Sequence, residues 1–298
     1  MSFAAVPLLS LGMSVTMPAR VVLSPVPTVH VYDHCPVRGS ARAPPRAPNA
    51  RRRAAARMCS RHAAAYGAAQ FCVRVRLALG LKNVKHNVNF LANDDVATPT
   101  ALVGKKIAPI WQDGSVVMPE SLDIIKLVDS DAKYGPPGLF KPSSGREDLK
   151  AWEKKHQSLN RELQRPRYVK AVGFPEFAQA DGRRAFIKNH QMPPYEKAEW
   201  KDEAVVPQAK REEMYEAAFA KSAELLPKFN AALAELEGLI HCADCVTEGG
   251  LSIDDIEFWS RLRSCTLVKG AVFGPKATAY LNNFAQLGDV PLYYTMAV

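Results

Sequence analysis

Cys35-Pro36 and Phe71-Cys72 carry the clearest chemistry in this 298-residue chain, and 34 residues lie between them. Joining Pro36 to Phe71 gives Tyr-Asp-His-Cys-Pro-Phe-Cys-Val-Arg, a C-x-x-C pair that follows a strand-like run and opens a helix-like one. Thiol–disulfide chemistry needs this placement. A thiol at a helix N-terminus meets free backbone N–H groups and the positive end of the dipole, which draw its pKa below the usual value of about 8.5. A second thiol three residues on lies one helical turn away and can close a disulfide. Cys35 therefore reads as the nucleophile and Cys72 as the resolving thiol. The plain alternative is a pair of packed cysteines, since free Cys is often buried; the strand–turn–helix setting favours the redox reading.

The elements that must position the pair follow from periodicity and breakers. Val29–Tyr32 alternates as a first strand, and Phe71–Leu81 suits a helix, with Gly80 and Asn83 as stop signals. His86–Leu91 reads as a second strand, and Thr98–Val103 as a short helix with Thr98 as N-cap and Pro99 at its first position. Ile107–Trp111 is a third strand, Asp113-Gly114 a hairpin turn, Ser115–Met118 a fourth strand and Pro119–Asp129 a helix. The order is β-α-β-α-β-β-α, a thioredoxin-like arrangement spanning 29–131. Residues 132–146 are rich in Gly, Pro and Ser and read as a linker. From 147 to 298 helical patterns dominate: 147–164, 181–190, 208–237 and 253–268. Ser252 to Asp255 fits a capping box in its Asp form. The fold class is thus α/β + α, with an N-terminal thioredoxin-like domain followed by an all-helical C-terminal one. Residues 1–28 hold one charged side chain, Arg20, and read as a leader that could serve targeting.

Val37–Gln70 breaks this pattern. It holds twelve alanines and eight arginines and no Lys, Asp or Glu. With almost no Leu, Ile, Val or Phe it is expected to be disordered or loosely helical. The net charge of +9 belongs to it, because taking its eight arginines away leaves +1. A loop of this length inside a strand–helix connection is unusual, since such connections take about two to six residues. The segment starts with Val, whose codons begin GT, and ends with Gln, one of whose codons ends AG. Its removal restores an uninterrupted motif. It reads as an intervening sequence that the working protein lacks. If it is retained, Cys35 loses its place at the helix start, and a poor catalyst is expected.

The motifs taken together resemble the glutaredoxin 2 family: Tyr32–Pro36, Phe71-Cys72, Gly80–Asn83, Asn93–Asp95, Thr98–Thr100, Met118–Ser121 and Asp123-Ile124, with further similarity around 251–257 and 266–268. The resemblance covers 29–298 apart from the insert. It implies a two-domain glutaredoxin with glutathione-transferase-like architecture. Such an enzyme reduces protein–glutathione mixed disulfides and disulfides, with glutathione as co-substrate and no metal. It also implies a glutathione site. Ala108-Pro109 matches the family's cis-proline position, which would turn the Ala108 backbone toward the glutathione peptide. Glu120 and Ser121 open a helix that would hold the γ-glutamyl end, Ser121 and helix N–H groups on the carboxylate and Glu120 on the ammonium. Lys105 or Lys106 would meet the glycine carboxylate. The plain readings are an edge-strand proline and an ordinary helix start.

Two other function classes compete. A glutathione transferase would use an activating Ser or Tyr where this chain has Cys35. A nucleic-acid binder would use the arginine arm by counterion release, but no interleaved aromatics support base readout, and nucleic acid is not the expected partner. The expected partners are glutathione and glutathionylated or disulfide-bonded proteins, the chain acting as a monomer. Six cysteines without regular spacing suit reduced thiols in a cytoplasmic or organellar compartment. No apolar run approaches the ~18 residues of a membrane span. Cys242-Ala243-Asp244-Cys245, preceded by His241, is a second C-x-x-C. A zinc site normally takes four ligands and one pair is visible, so it reads as inert or adventitiously oxidised.

Overall fold

The computed structural model describes residues 61–298. Cys35 and the expected first strand, Val29–Tyr32, lie outside the described residues. The sheet is built from β1 (Arg61–Ala65), β2 (Asn87–Phe90), β3 (Ile110–Asp113) and β4 (Val116–Pro119) in the order β2-β1-β3-β4. β1 runs parallel to β2 and antiparallel to β3, with Ala64 opposite Asn89 on one side and Ile110 on the other. Between the strands come α1 (Gln70–Leu81), α2 (Ala97–Val103) and α3 (Ser121–Ser130), which completes the β-α-β-α-β-β-α order.

The central strand corrects one expectation. Residues 37–70 are expected to be disordered or loosely helical, yet their last ten supply the strand β1 and the start of α1. The reason is local. Ala63, Ala64 and Ala65 are at most 3% exposed, Ala63 packing with the main core and Ala64 with Leu91 and Ile110 on the opposite face. A strand paired on both edges has its backbone groups satisfied, and three small apolar side chains suit a slot covered on both faces. An average over 34 residues hides this run.

Smaller boundary differences also have physical causes. The β3–β4 turn is Gly114-Ser115, one residue later than expected, with Gly114 at φ 61° in the first central position where such hairpins want glycine. α2 starts at Ala97, so Thr98 is inside the helix; its N–H is taken by the Asp95 carboxylate at 2.9 Å. Gly80 is a helical residue and not a stop: a Cβ there would lie 1.8 Å from the Gly288 carbonyl oxygen. The chain turns at Asn83, which has φ 53°.

A 3₁₀ turn at Ala132–Tyr134 leads through an extended stretch to α4 (Glu147–Lys170), α5 (Ala180–Asn189), α6 (Lys197–Lys201), α7 (Gln208–Ala220), α8 (Ser222–Ala234), α9 (Leu236–Leu239), α10 (Ile253–Cys265) and α11 (Pro275–Leu287). The expected long helix over 208–237 is three helices broken near Lys221 and Glu235. The Ser252–Asp255 capping box opens α10 as expected. The two halves share one core, with Val73, Leu77 and Ile124 packing together with Trp152, Trp259 and Tyr280. Arg74 on α1 reaches Glu257 on α10 at 2.8 Å. Among the described residues no helix is long and apolar enough to cross a membrane.

Candidate functional site

The chain leaves β1 through Tyr66, Gly67 and Ala68 and enters α1 with Ala69 as N-cap, at φ −69° and ψ 121°. The second half of the structure clamps this loop. The Glu176 carboxylate accepts the Ala68 N–H at 2.6 Å. The Tyr293 hydroxyl donates to the Gly67 carbonyl at 2.7 Å and Arg263 donates to it at 3.4 Å. Arg263 is itself held by the Pro291 carbonyl and the Tyr293 hydroxyl. A backbone aimed this firmly at one place suits a site in which a reacting group must sit within a fraction of an ångström. Burial raises the Glu176 carboxyl above its ordinary pKa, against the hydrogen bonds it accepts from Ala68 and Gly67.

Cys72 lies three residues after Ala69, in the first turn of α1, and is fully buried. Its sulfur accepts the Tyr66 N–H at 3.2 Å. Burial pushes its thiol up to about 12, so at neutral pH it stays protonated and unreactive. Phe71, by contrast, is 47% exposed beside it. Tyr66 stands six residues before Cys72, as Tyr32 does when Pro36 is joined to Phe71. In that joined sequence Cys35 takes the position that Ala69 holds here.

The other expected site residues gather at the same end of the sheet. Ala108-Pro109 is a cis peptide just before β3. Because Ile110 pairs with both Ala64 and Pro119, the end of β1, the cis bond and the start of α3 are adjacent. Glu120 has φ 72° and ψ 115°, a backbone conformation that side-chain-bearing residues rarely adopt and that costs about 1–3 kcal/mol. Its side chain is half exposed and meets Lys105 at 3.2 Å. Ser121 is buried at the first position of α3. Lys106 donates to the Asn93 carbonyl at 2.6 Å, so neither candidate lysine stands free of the protein.

A cavity of about 530 Å³ opens over this end of the sheet, between the two halves. Tyr66, Ala68, Ala69, Phe71 and Ala108 line one wall, and Gln157, Asn160, Arg161, Gln164 and Arg165 of α4 line the other. Three residues that line it also carry buried polar atoms with no hydrogen-bond partner among the described residues: the Tyr66 hydroxyl, Asn160 Oδ1 and Glu176 Oε2. With Gln157, Asn160, Arg161, Gln164 and Arg165 along one wall, the cleft suits a polar ligand that brings donors and acceptors. Burial also raises the Tyr66 phenol to about 12, which keeps it a donor.

Cys72, Ala108, Pro109, Glu120 and Ser121 thus lie near one end of the sheet, and of these Ala108 lines the cavity. Sequence reasoning did not find Glu176, Arg263 and Tyr293, whose roles depend on packing between residues more than 100 positions apart. The α4 stripe had a signal, polar residues at 157, 160, 161 and 164, but the same spacing describes an ordinary solvated helix face.

The profile described as "Glutathione S-transferase, N-terminal domain" matches residues 70–131, and that described as "Glutaredoxin 2, C terminal domain" matches residues 201–297. Glutaredoxin 2 of Escherichia coli (strain K12) is 31% identical over 235 residues, covering 78% of this chain and 98% of that protein. The crystal structure of glutaredoxin 2 from Salmonella typhimurium in complex with glutathione superimposes with a TM-score of 0.67 at 33% identity, covering 81% of this chain and all of that one. With the sheet, the cis proline and the helical half arranged as described, the chain belongs to the glutaredoxin 2 family.

Proposed function

We propose that this chain works as a glutathione-dependent thiol–disulfide oxidoreductase in the form that joins Pro36 to Phe71, with Cys35 as its nucleophile. One observation supports this most: the position three residues before Cys72 is the N-cap of α1, clamped at the wall of the interdomain cavity. A thiol there would meet the helix dipole and unpaired first-turn N–H groups, and so would ionise near neutrality.

The Cys35 thiolate attacks the glutathione sulfur of a protein–glutathione mixed disulfide. A Cys35–glutathione bond forms, and the protein leaves as a thiolate that takes up a proton. A second glutathione thiolate then attacks the glutathione sulfur on Cys35, giving glutathione disulfide and regenerating the Cys35 thiolate. Cys72, buried and with its thiol raised to about 12, is the poorer second attacker on mixed disulfides. Its use is to resolve protein disulfides once substrate binding opens the site. The bound glutathione lies along the Ala108-Pro109 edge, its γ-glutamyl carboxylate on the N–H groups of α3 and the Ser121 hydroxyl, its ammonium on Glu120. Glutathionylated proteins are the substrates, and the chain acts on them as a monomer in a reducing compartment.

The full chain places Ala69 at the nucleophile's position and is therefore a poor catalyst. The test compares reduction of a glutathionylated protein by the full chain, by a chain lacking residues 37–70, and by Cys35→Ser and Cys72→Ser forms of the short chain. The short chain and its Cys72→Ser form should turn over, and the Cys35→Ser form should not. Equal rates for the full and short chains would sink the proposal.

A further inference from the structure

Away from the cleft, the loop joining α9 to α10 folds back on itself. The His241 N–H donates to the Val246 carbonyl at 3.2 Å and the Cys242 N–H to the Cys245 carbonyl at 3.0 Å. Cys242 and Cys245 thereby face each other across an isolated antiparallel bridge. The loop is held from outside as well. The Asp255 carboxylate accepts the Val246 N–H at 2.6 Å. Asn283 on α11 donates to the Ala243 carbonyl at 3.0 Å and to the Asp244 carboxylate at 2.9 Å. The ligating atoms of His241, Cys242 and Cys245 all lie within 4.8 Å of one another.

We propose that His241, Cys242 and Cys245 form a binding site for a soft divalent cation of the Zn²⁺ type, with its fourth position open to water. The sulfur separation suits a metal. The two sulfurs are 3.4 Å apart. Two Zn–S bonds of about 2.3 Å at a tetrahedral angle place sulfurs about 3.8 Å apart. The cage therefore opens by only a few tenths of an ångström to take an ion.

The local charge points the same way. Two carboxylates stand beside the cage: Asp255 accepts the loop's Val246 N–H, and Asp244, within the loop, accepts from Asn283. Their negative charge favours a cation in the cage. Binding converts two thiols to thiolates, releases their two protons, and leaves two thiolates, one neutral imidazole and a dication with no net charge. No electron moves. The ion ties the α9–α10 loop together and takes no part in the chemistry at the cleft, whose walls do not include this loop.

Cobalt titration of the reduced, chelator-treated full chain tests this. One equivalent of Co²⁺ should give the charge-transfer absorption of a cobalt–thiolate bond, and Zn²⁺ should abolish it by displacement. The Cys242→Ser/Cys245→Ser double variant should lose the band. His241→Ala, at an exposed position, should weaken cobalt binding by about tenfold or more. A band unchanged in the double variant would assign the metal to other thiols and overturn the proposal. So would a reduced Cys pair that takes up no metal, or undiminished affinity in His241→Ala should the double variant fail to fold.

Discussion

Ala69 caps α1 three residues ahead of Cys72, so the described structure contains the frame of a C-x-x-C pair with an alanine at its first position. The clamp of Glu176, Arg263 and Tyr293 on Gly67 and Ala68 holds that position in place. Installing the missing thiol should therefore install reactivity. In the full chain, Ala69→Cys should create a thiol with a pKa below about 8.5. Glutathione-dependent reduction of a mixed disulfide should rise by an order of magnitude or more. The pH dependence of iodoacetamide alkylation reads the first and a turnover assay the second. An Ala69→Cys thiol that alkylates as slowly as Cys72 would show that the helix start confers nothing.

Ser121 is buried at the first position of α3, beside the cis peptide and below Glu120. If it holds the γ-glutamyl carboxylate, Ser121→Ala in the short chain removes one charge-assisted hydrogen bond, about 1.5–3 kcal/mol. KM for glutathione should rise about tenfold or more, with kcat changed far less. Steady-state kinetics at varied glutathione checks this; an unchanged KM would remove Ser121 from the site.

The two halves also meet where α1 passes the end of α11. A Cβ on Gly80 would sit 1.8 Å from the Gly288 carbonyl oxygen, which is backbone and cannot rotate away. Gly80→Ala should lower unfolding stability by about 3 kcal/mol or more. Gly238→Ala, in the helical residue whose Cβ would meet nothing within 4 Å, should be neutral or mildly stabilising. Urea unfolding of both variants separates close approach from helix propensity.

His190 supplies a pH dependence. It stacks on Phe186 with ring centroids 4.0 Å apart, and its Nδ1 lies 2.8 Å from the Phe186 carbonyl. Burial, opposed by that hydrogen bond and reinforced by Arg165, Lys201 and Lys197, lowers its pKa from 6.5 to about 4. Between these values the unfolded chain binds the proton and the folded one does not, so stability rises with pH across that window. The contribution is fully present above 6.5 and lost as pH falls to 4, about 3 kcal/mol in all. Denaturant titrations at pH 7 and pH 4.5 should show a smaller loss in His190→Gln than in the parent chain.

The sequence marked α1, the β3–β4 hairpin, the α10 capping box and the Ala108-Pro109 and Glu120-Ser121 positions, because each has a local signature: a period, a turn residue, a cap or a breaker. What it hid was set by tertiary contacts. Ala63–Ala65 look like part of a low-complexity tract until β2 and β3 pair on both sides. Gly80 looks like a helix stop until Gly288 is seen against it. Glu176 looks like one more surface acid until its carboxylate is found on the Ala68 N–H. His241, Cys242 and Cys245 stand together in the sequence, but it is the loop doubling back that brings their ligating atoms within 4.8 Å of one another.

Whether Cys35 joins Phe71 in the working protein is decided most directly by tryptic peptide mass spectrometry on protein isolated from its native source. The expected result is one peptide running from Val21 to Pro36 and on through Phe71 to Arg74, carrying both cysteines. A peptide from His62 to Arg74, with Ala69 ahead of Cys72, would contradict it: residues 37–70 would then belong to the working chain, and Cys35 could not hold the cap of α1.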